Sequence, residues 1–177
     1  QGGDEINRIT PGSNYGWPLV SYGCNYGDPV GETCRIGGGT HAPAYVEPVS
    51  IWVPISIAPS GMTFYTGDRY TGWQGDIFVG ALAGRALWRV KLDGDREVER
   101  EVLFKNLEER IRTVEQGLDG WLYLLTDSGK LIRVTNQDRR TPLKQQGRPA
   151  SADRPSLVST GCGPAGGDHS GGLIFRY

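Results

Sequence analysis

Apolar residues in this chain occur in short runs separated by turn residues, and within the runs they alternate with period two rather than three to four. Between Met62 and Phe104 the order is Met62-Thr63-Phe64-Tyr65, the turn pair Gly75-Asp76 leading into Ile77-Phe78-Val79, then Ala86 to Val90, then Val98 to Phe104. Ala86, Trp88, Val90 and Leu92 fall on one side of an extended strand, and Leu87, Arg89 and Lys91 on the other. That is the pattern of a half-buried strand. Asp93-Gly94 supplies the hairpin turn between the last two runs. The segment therefore predicts a four-stranded antiparallel meander.

The unit then begins again with Ile111 to Val114, the turn Asp119-Gly120, Trp121 to Leu125, the turn Asp127-Ser128-Gly129, and Lys130 to Val134. Three strands follow before the pattern stops. Four-stranded units repeated every 40 to 50 residues, roughly, are the signature of a β-propeller. A blade one strand short is what a ring closed by its own N-terminus would show, so the closing strand is expected to lie outside this chain. A sandwich of similar hairpins is the competing architecture, and spacing alone does not separate the two. From Thr135 onward apolar periodicity is nearly lost until Leu173-Ile174-Phe175, so residues 135–177 read as an irregular or disordered tail. Residues from about 13 to 48 are rich in loops but carry Tyr15, Trp17, Tyr22, Tyr26 and Tyr45, which suggests an ordered excursion over a scaffold.

Composition narrows the function classes. With 27 Gly and 11 Pro among 177 residues, long helices are disfavoured. Nineteen basic against 20 acidic side chains leave a net charge of -1, so no basic field is present to hold a nucleic-acid backbone or a membrane surface. No apolar run approaches the 18 or so residues of a membrane-crossing helix. The chain opens on Gln1-Gly2-Gly3 with neither a Met nor a leader, and reads as processed or cut from something longer. Cys24, Cys34 and Cys162 fit neither a zinc cluster nor a dense disulfide framework; Cys24 and Cys34 share a Gly-rich stretch and either close a small loop or stay apart. His41 and His169 both read as solvated loop histidines.

Four stretches, in order, carry a resemblance. They are Gly2 to Asn7 with Asn14-Tyr15-Gly16-Trp17-Pro18; Pro48 through Trp52 with Ile57 to Met62; Trp73 through Leu82; and Arg110 to Val114 with Asp119-Gly120 and Leu124 to Asp127. Together they resemble the soluble quinoprotein sugar dehydrogenases, the glucose/sorbosone dehydrogenase family, and within it the aldose sugar dehydrogenases. The resemblance covers residues 1 to about 134. It implies an all-β, six-bladed propeller of which residues 1–134 form roughly the C-terminal half. It also implies oxidation of aldoses at C1 to lactones, with hydride transfer to pyrroloquinoline quinone (PQQ), in a periplasmic or secreted protein that uses calcium. The expected partners are an aldose and an external electron acceptor, and the assembly leaves room for a homodimer.

The resemblance also assigns residues. Arg110 and Arg112 match arginines that hold the cofactor, and the chemistry agrees: PQQ is a planar tricarboxylate, and guanidinium groups grip planar anions bidentately without losing their charge. Two apart on a strand, both side chains point to one face. The local alternative is a surface pair answering Glu108 and Glu109. A lysine found beside these arginines in some members falls at Ala83, so that contact is missing, with Arg85 nearby. Glu5 and Tyr15 match a carboxylate and a backbone carbonyl that bind calcium, a cation that collects such oxygens; the alternative is an acidic strand residue followed by a turn. Trp52 matches an aromatic lining the sugar cleft, or else is a core or rim tryptophan. The family's general base lies in a part absent from this chain, so no catalytic residue is assigned and the chain alone is expected to be inactive. The rival class is a propeller-like binding module that uses residues 14–48 to recognise a carbohydrate or a protein.

Overall fold

The computed structural model of the protein describes residues 1–136 throughout and the backbone of residues 155–159. Its strands are β1 (Asp4–Ile6), β2 (Ser21–Cys24), β3 (Arg35–Ile36), β4 (Ser50–Trp52), β5 (Pro59–Phe64), β6 (Ile77–Ala81), β7 (Ala86–Asp93), β8 (Arg96–Leu103), β9 (Ile111–Gln116), β10 (Leu122–Thr126), β11 (Leu131–Asn136) and β12 (Pro155–Ser159), with one 3₁₀ turn at Lys105–Leu107. Among the described residues no α-helix forms, as the density of Gly and Pro predicts. His169, Cys162 and the Leu173-Ile174-Phe175 run lie outside the described residues.

The first predicted meander is an antiparallel sheet in the order β5-β6-β7-β8. The Asp93-Gly94 turn joins β7 to β8, where Asp93 pairs with Arg96 and Gly94 takes φ 60°. β7 is not half-buried as its alternation predicts, because both of its faces are covered. Phe78 and Leu87, each fully buried, and Leu103 pack with Ile111, Val114, Leu122 and Leu124 from the second sheet. On the opposite face Ile77, Val79, Ala81 and Val90 pack with Ile6, Trp52 and Ile57. The polar position on the first face, Arg89, is also buried. Its Nε lies 2.7 Å from Asp76, while Glu101 and Glu99 lie 2.7 and 3.1 Å from its two Nη atoms, so the charge enters the interior already paired.

The second meander is a sheet in the order β12-β11-β10-β9. Its fourth strand comes from the segment read as tail: β12 pairs antiparallel with β11, Pro155 opposite Asn136 and Ser159 opposite Ile132. The expectation of a three-stranded blade with its closing strand elsewhere is thereby corrected. The edge of β11 offers unpaired N–H and C=O groups, and a short extended segment of the same chain satisfies them.

The two sheets meet where side chains are smallest. A Cβ at Gly61 would lie 2.8 Å from Thr113 Cα and Val114 N, so only glycine lets β5 approach β9 this closely. Next to it, Ser60 Oγ donates to the Ile111 carbonyl at 2.6 Å. Two short sheets complete the described fold, β1 with β4 and β2 with β3. A Cys24–Cys34 disulfide fastens the loop between β2 and β3, which resolves the alternative left open by the spacing.

A candidate anion clamp and its surroundings

Arg110 and Arg112 converge on one carboxylate. Arg110 Nε donates to Asp127 Oδ2 at 2.8 Å, Arg112 Nε donates to Oδ1 at 2.8 Å, and Arg112 Nη2 donates to Oδ2 at 3.1 Å. Strand alternation alone would not put Ile111 and Val114, three apart, both in the core. A bulge does: Leu125 faces Thr113 and Thr126 faces Ile111, so Arg112 is the extra residue on β9 and its side chain is re-aimed outward beside Arg110. The arginine side chains are 45% and 55% exposed, available to a ligand yet already ordered. The Arg112 and Arg110 guanidiniums hold the Asp127 carboxyl below the usual aspartate range.

Glu109 does not answer these arginines. It accepts instead from Ser128 Oγ at 2.8 Å and pairs with Lys130, and those two donors hold its carboxyl low. The arginine partner is therefore Asp127, which the sequence marks as a turn residue at the end of a matched stretch but not as the arginines' partner. The expected same-face pair is found, but its acidic partner was missed because it is 17 and 15 residues distant.

The loops bordering the clamp are strained. Ala58, Arg85, Phe104 and Glu108 are non-glycine residues at φ between 46° and 57°. Such conformations persist only where surrounding bonds fix them. Ala58 accepts from Leu82 N, Ile57 accepts from Ala83 and Gly84 N, and the Leu82 carbonyl accepts from Arg110 Nη1 at 3.4 Å. Asp4 anchors the start of this chain of contacts, accepting from Ser56 Oγ, Ile57 N and Ala58 N. Ala83 and Arg85 are exposed on that turn.

Glu5 lies on β1 with its side chain 15% exposed. It accepts from Asn7 Nδ2 at 3.1 Å and sits 3.4 Å from His41 Nε2. Burial pushes the Glu5 carboxyl up, against the lowering influence of Asn7 and His41. His41 is no solvated loop residue: its side chain is 1% exposed, neither ring nitrogen makes a hydrogen bond, and its other nitrogen lies 3.8 Å from Glu47. Gly16 makes this burial possible, since a Cβ there would lie 2.7 Å from the imidazole Cδ2. Glu47 in turn accepts from His41 N, Ala42 N and Tyr22 OH, each at 2.8 Å. Burial acts to raise its carboxyl, but those donors together hold it low. Tyr15 closes its own loop, its hydroxyl accepting from Thr10 N and donating to the Arg8 carbonyl.

These residues do not by themselves make a calcium site. Calcium takes six to eight oxygens, roughly, and the Glu5 carboxylate that would contribute here accepts from the Asn7 amide and faces the His41 imidazole. Among the described residues no group of three or more His, Cys, Asp or Glu side chains converges as metal ligands do.

Trp52 is an interior residue. It is 4% exposed, the Arg100 guanidinium lies over its ring 4.4 Å from the centroid, and Trp88 meets it edge-on at 5.9 Å. Pairing with Asp4 on β1 turns its indole into the second core, so it presents no open face to a sugar. The open aromatics are elsewhere: Trp17 and Tyr26, 71% and 92% exposed, line a cavity of about 340 Å³ with Gln1, Asp4, Ser21 and Asn25.

Comparison with known proteins gives the family. The chain matches the family described as glucose/sorbosone dehydrogenase over residues 1–133. It is 43% identical over 136 residues to an uncharacterised protein of Synechocystis sp. (strain ATCC 27184 / PCC 6803 / Kazusa), covering 76% of this chain and 32% of that protein. It is 41% identical over 139 residues to an aldose sugar dehydrogenase of Escherichia coli (strain K12), covering 76% and 36%. A glucose dehydrogenase crystal structure superimposes with TM-score 0.63 at 48% identity, over 71% of this chain and 35% of that one. The soluble aldose sugar dehydrogenase of Escherichia coli in its apo form gives 0.61 at 38%, over the same shares. The chain thus spans about a third of the length of the curated relatives it matches. It belongs to the glucose/sorbosone dehydrogenase family.

Proposed function

We propose that this chain is the part of a PQQ-dependent aldose dehydrogenase that anchors the cofactor's carboxylates, through Arg110 and Arg112, within a six-bladed ring. The observation that carries the reading is the clamp itself: two half-exposed guanidiniums held side by side on a single carboxylate. The donor set fits PQQ in kind: two half-exposed guanidiniums side by side suit the planar carboxylates of that cofactor. When bound, PQQ supplies the two-electron acceptor for oxidation of an aldose to its lactone. Arg110 and Arg112 bind and orient it, and their fixed positive charge favours the more electron-rich, reduced form. The bordering loops, over-determined by Asp4 and the Leu82 turn, keep the clamp in place.

Calcium belongs in this proposal to the complete protein, where further oxygens would join Glu5 and the Tyr15 carbonyl; no step here depends on it. The electron acceptor, a periplasmic or secreted location and a homodimer are likewise proposals for the complete protein. The experiment that tests the reading is co-elution of PQQ with the chain on gel filtration, followed by a dye-linked glucose oxidation assay with PQQ and calcium present. The expected outcome is cofactor retention without turnover. No retention contradicts the anchoring role, and turnover by the chain alone contradicts the assignment of the base elsewhere.

A second reading, the carbohydrate- or protein-binding module, is favoured by the Trp17–Tyr26 cavity, whose exposed rings suit the apolar face of a sugar. Glycan binding retained with no PQQ retention would select it.

A further inference from the structure

We infer that Asp127 is a positioning residue for the cofactor clamp: it orders the Arg110 and Arg112 side chains before any ligand arrives and does not itself contact the ligand. The inference rests on the cofactor reading for its purpose, but its structural content stands on the described contacts.

Three N–H groups from two guanidiniums end on the two Asp127 oxygens. Arginine side chains are long, and ordering each one on binding costs affinity unless it is ordered beforehand. A shared carboxylate does this for both at once. Asp127 is itself held on three sides. Its N–H donates to the Arg110 carbonyl at 2.9 Å, which ties the end of β10 to the residue before β9. The turn that follows is closed by Thr126 and Lys130, with Thr126 N donating to the Lys130 carbonyl at 3.0 Å and Lys130 N donating to Thr126 Oγ1 at 3.1 Å. Ser128 and Lys130, on the same turn, bind Glu109, the residue before Arg110. The carboxylate that orders the arginines is therefore fixed to the backbone that carries them.

The charges make the inference falsifiable. Two arginines and Asp127 sum to one positive charge, and Glu109 cancels Lys130, so the clamp still attracts an anion. Replacing Asp127 by Asn raises the sum to two positive charges. If Asp127 were only a competitor for the arginines, that change would tighten anion binding. If it positions them, the loss of order wins and binding weakens.

The test uses the whole chain as wild type, Asp127→Asn, Asp127→Glu and the Arg110→Ala/Arg112→Ala double variant. First, without ligand, the arginine Nε–Hε resonances are recorded by NMR. The expected result is exchange-protected Arg110 and Arg112 signals in wild type, identified by their absence from the double variant, lost in Asp127→Asn and at least partly restored in Asp127→Glu. Arg110 and Arg112 signals that stay protected in Asp127→Asn overturn the inference, while Arg89, whose Nε is bonded to Asp76, serves as the unchanged reference. Second, PQQ is titrated into each form. Roughly tenfold weaker binding by Asp127→Asn is expected, with recovery in Asp127→Glu. Equal or tighter binding by Asp127→Asn overturns the inference while leaving the cofactor reading intact. Failure of wild type to bind PQQ, or equal binding by the double arginine variant, sinks the cofactor reading instead, and the NMR result still decides the positioning role.

Discussion

Gly16 shows how much of this structure turns on single residues. It takes φ 90°, and a Cβ there would lie 2.3 Å from Val20 Cγ1 and 2.7 Å from His41 Cδ2. Gly16→Ala therefore combines backbone strain with a clash at a fully buried imidazole, and about 2–3 kcal/mol of stability should be lost in urea unfolding, with the m-value unchanged. Asp127 gives the second prediction at this scale. Its carboxyl titrates lower in the folded chain than in the unfolded one, so it stabilises the fold above the ordinary aspartate range, and that contribution is lost as pH falls through the lowered folded value. Urea midpoints followed downward from about pH 5 should decline in wild type by more than in Asp127→Asn; parallel profiles would show that the arginine contacts do not persist in solution. Neither feature is legible in the sequence. His41 looks like any loop histidine because the glycine that admits it is 25 positions away, and Asp127 looks like a turn residue because its partners lie on the neighbouring strand.

Among elements, the meanders are legible and their packing is not. Asp93-Gly94 and Asp119-Gly120 mark turns by local chemistry, so β5–β8 and β9–β11 follow from spacing. Burial of both faces of β7 does not follow, because Arg89 at a nominally outward position argues for solvent. Only the structure shows Asp76 and Glu101 waiting for it. The strand β12 escapes prediction for the opposite reason: its backbone completes a sheet edge without an apolar signature around it. The packing claim is tested by Leu87→Ala, which should cost about 3 kcal/mol because the side chain is fully buried between two sheets. Val102→Ala on the exposed face of β8, where the residue is 42% accessible, should stay within about 0.5 kcal/mol. Similar losses at both sites would mean that the sheets do not pack face to face in solution.

For the molecule as a whole, family membership and the all-β architecture stand, Arg110 and Arg112 lie side by side on Asp127, and Trp52 lies in the core. The resemblance found the right family because it rests on four ordered stretches; it left Trp52 open between the sugar cleft and the core because sequence position does not report which side of β4 faces inward, and the burial of Trp52 favours the core. The chain spans about a third of its relatives, so what it can do alone is narrower than what they do. The proposed anchoring of a polycarboxylate rests on the clamp, and binding can be measured on this chain. The most direct measurement is calorimetric titration of PQQ into the chain and into the Arg110→Ala/Arg112→Ala double variant. The account predicts one-to-one binding by the wild type, weakened at least roughly a hundredfold in the variant, as expected for the loss of two charge-assisted contacts. Equal affinity in the two proteins, or no binding by either, would contradict it.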